Sequence, residues 1–260
     1  MQIRLDGKFA LVTGASGGIG QAIARSLAAS GAAVAFHYSS HADTAHASVA
    51  AVQGEGGRAV AVQADVADPA SVQAMFDAAE RALGPIDILI NCAGIDGKQA
   101  PSWEIDLADW KKVIDVNLYG TFYCSQLALK SMVARKKGVI LNISSVHEVI
   151  AWSGYSAYTA SKAAVSMMSK TMAQEAAPFG VRVLSLAPGA IQTDINRAVW
   201  SDPEQMKDLL TKIPLGRMGK VEDIADMVTV LVSDVGGYVT GTTLFVDGGM
   251  TDYPEFAHGG

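Results

Sequence analysis

Short runs of β-branched and other apolar residues recur along the chain, at 9–12, 33–36, 59–62, 86–90, 139–143, 183–186 and 243–246. Nearly every interval between them carries apolar residues at helical spacing, at 21–29, 42–52, 70–83, 110–134, 158–176 and 222–233. Runs that are mostly apolar, rather than alternating, predict strands covered on both faces. Their alternation with helices predicts parallel pairing. Gly31, the Gly84-Pro85 pair, Gly138, Pro178 and Gly180 each follow a helical stretch, where a chain reversal favours them. No internal repeat, low-complexity tract or linker interrupts the series. The pattern predicts an α/β fold, a single doubly wound parallel sheet with helices on both faces, over one domain at 1–260.

Composition agrees with a large buried core. Half of the 260 residues are apolar and 18% are charged. The net charge is -6 with scattered cations, so no nucleic-acid partner is expected. The one basic run, Arg135-Lys136-Lys137, precedes Gly138 and reads as a helix end, where cations meet the negative pole of the dipole. Cys92 and Cys124 lie in apolar stretches and read as buried free thiols of a reducing compartment. Met1 leads into Lys8-Phe9-Ala10-Leu11-Val12 without a charged leader, and no apolar stretch approaches the ~20 residues of a membrane span. A cytoplasmic protein with no membrane partner and no metal site is expected.

The segment Thr13-Gly14-Ala15-Ser16-Gly17-Gly18-Ile19-Gly20 ends the first strand and opens the first helix. In that context glycines read as a dinucleotide turn. Gly14 permits the tight bend, Gly18 lets backbone approach a pyrophosphate, and Gly20 lets helix pack on strand. Ser16 and Ile19 share the turn, whose anion would rest on the helix N-terminus. A bare strand-to-helix turn is the alternative. At the end of the second strand an acid would bind the 2′-hydroxyl of NAD and a base the 2′-phosphate of NADP. Phe36-His37-Tyr38-Ser39-Ser40-His41 offers neither, and Asp43 belongs to the next helix start. Tyr38, Ser39 and Ser40 are assigned to the cofactor, which favours NADP with NAD as the alternative. Asp65-Val66 either supports an adenine or caps its own loop, and Asp68-Pro69 starts the following helix.

Tyr158 and Lys162 stand four residues apart in a helical stretch, so they share a face. A free phenol, with a pKa near ~10, is a poor proton acceptor at neutral pH. A nearby ammonium favours phenolate, which suits removal of an alcohol proton as hydride leaves the same carbon.

Gly14-x-x-x-Gly18-x-Gly20, Asn91-Cys92-Ala93-Gly94, Asn117, Ser144-Ser145 and Tyr158-x-x-x-Lys162 occur in this order. Together they resemble the short-chain dehydrogenase/reductase family across essentially the whole chain. The resemblance implies a Rossmann-type domain, a nicotinamide cofactor and an Asn–Ser–Tyr–Lys group. Tyr158 is then the acid/base, Lys162 lowers its pKa and bonds the nicotinamide ribose, and Ser145 orients the reacting oxygen. Asn117 would hold a water linking Lys162 to solvent, where alone it would read as a helix kink. Asn91, Ala93 and Gly94 border the cofactor, and Cys92 departs from the second Asn often found there. Pro188, Gly189, Ile191 and Thr193 resemble the segment closing over the nicotinamide. The stretch after it, to residue 215, resembles a substrate lid with Trp200 and Met206 as apolar members.

Ser144-Ser145-Val146-His147-Glu148, the run from Pro188 to Asn196 and the run from Leu244 to Phe256 are similar to the glucose 1-dehydrogenase branch. A small-molecule substrate, a sugar or polyol, follows from that likeness. Asp96, His147, Glu148 and Asn196 are candidates to hold its hydroxyls, while His147 and Glu148 have loop capping as the alternative. A reductase of β-keto thioesters is the rival, with Arg197, Lys207 and Lys212 at the pocket mouth. A dinucleotide sensor without turnover is the rival of another class. Ala163, Ala164, Met167, Met168, Met172 and Ala173 lie on several faces of one helix, which with the resemblance predicts a homotetramer. Tyr253 and Phe256 are expected to reach a neighbouring subunit.

Overall fold

The computed structural model describes residues 3–194 and 196–252, so the expectation for Tyr253 and Phe256 lies outside the described residues. The strands are β1 (Phe9–Val12), β2 (Ala33–Tyr38), β3 (Ala59–Gln63), β4 (Ile88–Asn91), β5 (Gly138–Ile143), β6 (Val181–Pro188) and β7 (Thr243–Val246). The helices are α1 (Gly18–Ala29), α2 (Ala42–Gly54), α3 (Pro69–Leu83), α4 (Leu107–Ile114), α5 (Gly120–Arg135) and α6 (Ser156–Ala176). After β6 come α7 (Arg197–Trp200), α8 (Pro203–Leu210) and α9 (Val221–Val232). The strands pair in parallel in the order β3-β2-β1-β4-β5-β6-β7, the doubly wound sheet the pattern predicts.

Successive side chains of a strand point to opposite faces, and here each face is covered. Ala10 and Val12 of β1, Ile88 and Ile90 of β4, and Leu184 and Leu186 of β6 pack with Ile23 and Leu27 of α1 and Ile224 and Val228 of α9. Leu11, Leu89, Ile140 and Val183 pack the other way, with Phe76 of α3, Met132 of α5 and Met172 of α6. Asp68 caps α3 as expected, accepting the Ala70 amide at 3.0 Å, with Pro69 in the first turn.

Two local differences have physical reasons. The continuous apolar period at 110–134 hides a π-helical turn at Asp115–Tyr119 between α4 and α5. Five residues are fewer than two helical turns, too short a window to show a period of their own. The basic run does more than end α5. Arg135 donates to Asp87 Oδ1 at 2.8 Å and Lys137 stands 3.1 Å from the same oxygen, so the two cations hold a carboxylate that is 5% exposed. Burial pushes the Asp87 carboxyl up, yet these bonds outweigh it and leave the group below its ordinary value. Cys92 and Cys124 are free thiols. No helix among the described residues is long and apolar enough to cross a membrane, and no group of three or more His, Cys, Asp or Glu among them could hold a metal ion.

Candidate active site

The strand order reverses between β1 and β4, and the crevice at their carboxyl ends is where doubly wound sheets take ligands. The glycine-rich turn lies there. Gly14 has φ +69°, and a Cβ on it would come within 2.9 Å of the Ala93 Cα, so backbone packs on backbone. A Cβ on Gly20 would strike the Gly14 carbonyl oxygen. Gly18, at φ +52°, faces Thr193, whose Cγ2 would lie 3.6 Å from an added Cβ. The N-cap of α1 is Gly17, which lends no side chain to the first-turn amides. A bare positive helix end beside a turn that side chains would block fits a pyrophosphate.

Thr13, which the motif reading passed over, joins the turn to β4. Its Oγ1 accepts the amide protons of Cys92 at 3.0 Å and Ala93 at 3.1 Å. A hydroxyl directly before the first glycine was the available signal. Asn91 is buried and donates to Asn142 Oδ1 at 2.7 Å and Ser125 Oγ at 3.0 Å, so its side chain braces the sheet. At the end of β2, Tyr38 is half-buried while Ser39 and Ser40 are exposed, and Asp43 sits in the first turn of α2. Asp65 Oδ1 accepts the Ala67 amide at 2.9 Å, which is the loop-capping alternative. Val66 is buried against Gly120, where a Cβ would stand 2.9 Å from its Cγ2.

Past Ala93 the chain reaches the chemistry-bearing side chains. A Cβ on Gly94 would lie 3.3 Å from Asn117 Oδ1 and 3.7 Å from Lys162 Nζ. Lys162 is buried, donates to the Ile143 carbonyl at 2.9 Å, and has its Nζ 5.5 Å from the Tyr158 ring centre. Burial lowers the Lys162 pKa, opposed by charge at Cys92, Asp96 and Glu148. Burial also pushes the Tyr158 phenol up to about 12, with the Ser145 hydroxyl opposing and Asp96 and Cys92 adding to the rise. The chain's own groups therefore favour phenol, opposite to the lowering expected from Lys162. The Cys92 thiol is itself pushed up to about 11 by burial.

Ser144 and Ser145 part as strand geometry requires. Ser144 Oγ donates to the Lys162 carbonyl at 3.3 Å, while Ser145 Oγ accepts the His147 amide at 3.2 Å and lies within influence of the Tyr158 phenol. Asn117, 1% exposed, differs from its expected place. Its Oδ1 accepts the Ile95 amide at 2.8 Å, and its Nδ2 donates to the Ile95 carbonyl at 2.9 Å and Ser161 Oγ at 3.1 Å. The side chain thus braces the loop after β4, while its Oδ1, with one donor, keeps a second lone pair. Its carbonyl accepts from Thr121 Oγ1 at 2.7 Å.

Asp96 stands close enough to Tyr158, Lys162 and His147 to shift all three, and burial raises its own pKa. The His147 ring stacks on Trp152 at 4.5 Å and meets Tyr158 edge-on at 6.2 Å, with Nδ1 at 3.1 Å from the Ile150 carbonyl. Trp152 also stacks on Tyr155 at 3.9 Å and stands edge-on to Tyr158 at 5.7 Å. This aromatic wall was not anticipated, because Trp152 lies in a loop with no periodic pattern. Glu148 Oε1 accepts from Ser166 Oγ at 2.9 Å, and its charge reaches Lys162.

Beyond β6, Gly189 donates to the Val246 carbonyl at 3.0 Å and Ile191 is buried. Asn196 also differs from its expected place. Its Oδ1 accepts from Thr193 N at 3.0 Å and Oγ1 at 3.2 Å, and its Nδ2 donates to the Ile191 carbonyl at 2.8 Å. Those bonds shape the 191–193 turn and leave one N–H of the amide without a partner among the described residues. Trp200 Nε1 donates to the Thr193 carbonyl at 2.8 Å, tying α7 to the same turn.

Residues 14–251 match the family model described as Enoyl-(Acyl carrier protein) reductase. The chain is 47% identical over 256 residues to 3beta-hydroxysteroid dehydrogenase 1 of Eggerthella lenta, covering 98% of each. It is 42% identical over 252 residues to glucose 1-dehydrogenase 2 of Bacillus subtilis, covering 96% of this chain and 97% of that one. The structure of a gluconate 5-dehydrogenase from Burkholderia cenocepacia, in complex with NADP and tartrate, superposes with a TM-score of 0.91. It is 38% identical, covering 97% of this chain and 98% of that one.

Proposed function

The chain belongs to the short-chain dehydrogenase/reductase family, and on that premise we propose that it oxidises or reduces a ring-borne CH–OH carbon of a sugar or polyol. The observation that carries the substrate class is Asp96. Its carboxylate is part-buried beside Tyr158, Lys162 and His147, and no hydrogen bond reaches it from the described residues. A desolvated carboxylate without donors is satisfied by substrate hydroxyls, and a substrate lacking them leaves it unpaired.

A bound nicotinamide dinucleotide supplies the hydride acceptor in oxidation and the donor in reduction. The glycine turn, the 91–94 segment and the 188–193 segment would hold it. With no acid at the end of β2 to repel a 2′-phosphate, NADP is favoured over NAD. Tyr158 takes the hydroxyl proton in oxidation and returns it in reduction, while Ser145 donates to the oxygen as charge develops there. Lys162 supplies positive charge from below the Tyr158 ring. Residues 193–215 act as the lid.

A hydroxysteroid is the second reading, favoured by the Trp152–Tyr155 wall and by the 47% identical relative. The thioester reading is weaker, since Arg197 is paired with Asp194 and Lys212 with Asp208. Exposed Phe122 on α5 and Met167 on α6 suit a homotetramer, and two free thiols suit the cytoplasm. Initial rates with glucose, gluconate, a 3β-hydroxysteroid and an acetoacetyl thioester, each with both dinucleotides, test the proposal. Turnover confined to the thioester would overturn it.

A further inference from the structure

His37 is a buried titratable side chain that the chemistry above does not use. It lies near the end of β2, between β1 and β3, and is 2% exposed. Its Nδ1 accepts the Gly14 amide proton at 2.9 Å, and its Nε2 lies 3.1 Å from the Ala64 carbonyl oxygen. Its own carbonyl accepts the Ala15 amide at 2.8 Å. The two partners decide the tautomer. A backbone amide only donates and a carbonyl only accepts, so Nδ1 is bare and Nε2 carries the hydrogen. One residue thus takes the first two amides of the glycine turn and anchors them to the chain leaving β3.

We propose that His37 is the positioning residue that holds the phosphate-binding turn in its binding shape, by accepting from Gly14 while donating to Ala64. Gly14 has two constraints on its place: the Ala93 backbone packed on one side and the His37 ring on the other. Without the ring acceptor the Gly14 amide is left unpaired in the interior, and the turn must move to satisfy it. The amides that follow, on Ser16 to Ile19, would then lose their alignment with α1. The inference rests on the dinucleotide part of the proposed function and not on the substrate.

A protonated ring cannot accept from Gly14, so the clamp opens in acid. Burial pushes the His37 pKa below the ordinary histidine value, opposed by the Ala64 carbonyl bond and the Asp65 carboxylate. On the β1 side, Thr13, Gly14 and Ala15 bring no titratable group, and Asp65 beyond β3 is the charge that acts on the ring. The clamp is therefore closed at neutral pH and opens in acid, below the ordinary histidine value.

Two substitutions separate the functions. Asparagine sets an amide oxygen near the place of Nδ1, and glutamine sets an amide nitrogen near the place of Nε2. NADPH and NADH are titrated into the full-length protein by ligand fluorescence, with circular dichroism to check folding. At neutral pH His37→Gln should raise Kd by about three- to tenfold, with His37→Asn, which keeps the acceptor for Gly14 but loses the bond to Ala64, between it and wild type. Between about pH 8 and about pH 5 the wild type should lose affinity that His37→Asn keeps. A folded His37→Gln that binds like wild type, or a His37→Asn with the wild-type acid loss, overturns the proposal. A wild type that binds neither dinucleotide removes the cofactor reading itself, which is a different result.

Discussion

The Lys162 ammonium stands 5.5 Å from the centre of the Tyr158 ring and gives its hydrogen bond to the Ile143 carbonyl at 2.9 Å. The pair predicted by four-residue spacing is therefore ammonium over ring, not ammonium on phenol oxygen. With burial as the largest cause, the Tyr158 phenol is pushed up to about 12. On the proposed assignment, oxidation needs the phenolate, whose share grows about tenfold per pH unit below the pKa. Oxidative kcat/KM should therefore climb from neutral into alkaline solution. Reduction needs the phenol, so it should stay level and fall only at strongly alkaline pH. An oxidative profile flat from about pH 7 to about pH 10 would take Tyr158 out of the base role.

Asp96→Asn should move that profile toward lower pH. The carboxylate is one of the charges that raise the Tyr158 pKa, and an amide removes it. Oxidation at a fixed pH below the inflection should rise by about two- to fivefold. If the same carboxylate binds substrate hydroxyls, KM for the polyol rises as well. Profiles of the variant and the wild type that superimpose would remove Asp96 from the electrostatics of Tyr158.

Tyr158→Phe removes the hydroxyl proposed as acid/base and little else. Turnover should fall by roughly 10²–10⁴, with the dinucleotide Kd within about twofold. Single-turnover rates and fluorescence titration measure the two separately. Near-normal turnover refutes the assigned role.

The fold was legible because strands buried on both faces write short, nearly continuous apolar runs, as in β1 and β4, and because glycines mark the joints. The π-turn at Asp115–Tyr119 was not legible, since five residues are too few to show a period of their own. Helix α6 begins at Ser156, two residues before the predicted start, because its first turn carries polar residues that show no period.

For the site, spacing brought Tyr158, Lys162 and Ser145 together, but it is blind to where an amide side chain spends its hydrogen bonds. Asn117 and Asn196 were assigned by likeness in sequence, yet each also braces a loop, at Ile95 and at Ile191–Thr193. The sign of the Tyr158 shift was out of reach for a similar reason. A charge four residues away is visible in sequence, whereas burial, the larger cause here, depends on the fold.

Gly20→Ala and Gly17→Ala form a matched pair on the dinucleotide turn. A Cβ on Gly20 strikes the Gly14 carbonyl, backbone against backbone, so the turn itself must shift. The loss of stability should be about 1–3 kcal/mol, with weaker dinucleotide binding. At Gly17 an added Cβ meets nothing within 4 Å, and φ is 179°, an extended value open to any residue. That substitution should change stability by less than about 0.5 kcal/mol in a urea melt. Equal losses at both positions would mean that the close approach of Gly20 to Gly14 is not what requires glycine.

Asn117→Ala should act through the loop after β4. The side chain satisfies both the amide and the carbonyl of Ile95, the residue before Asp96, and its Oδ1 lies close beside Gly94. Removing it leaves a paired donor and acceptor of the backbone without partners, at about 1–3 kcal/mol of stability. Asn117→Asp keeps an acceptor for the Ile95 amide but buries a carboxylate whose second oxygen faces the Ile95 carbonyl, so it should cost at least as much as alanine. Because the loop carries Asp96, the pH profile of oxidation should shift in Asn117→Ala in the same direction as in Asp96→Asn. A loss of stability with an unmoved profile would confine Asn117 to holding the fold. A moved profile would make it a residue that positions Asp96 against the Tyr158 phenol.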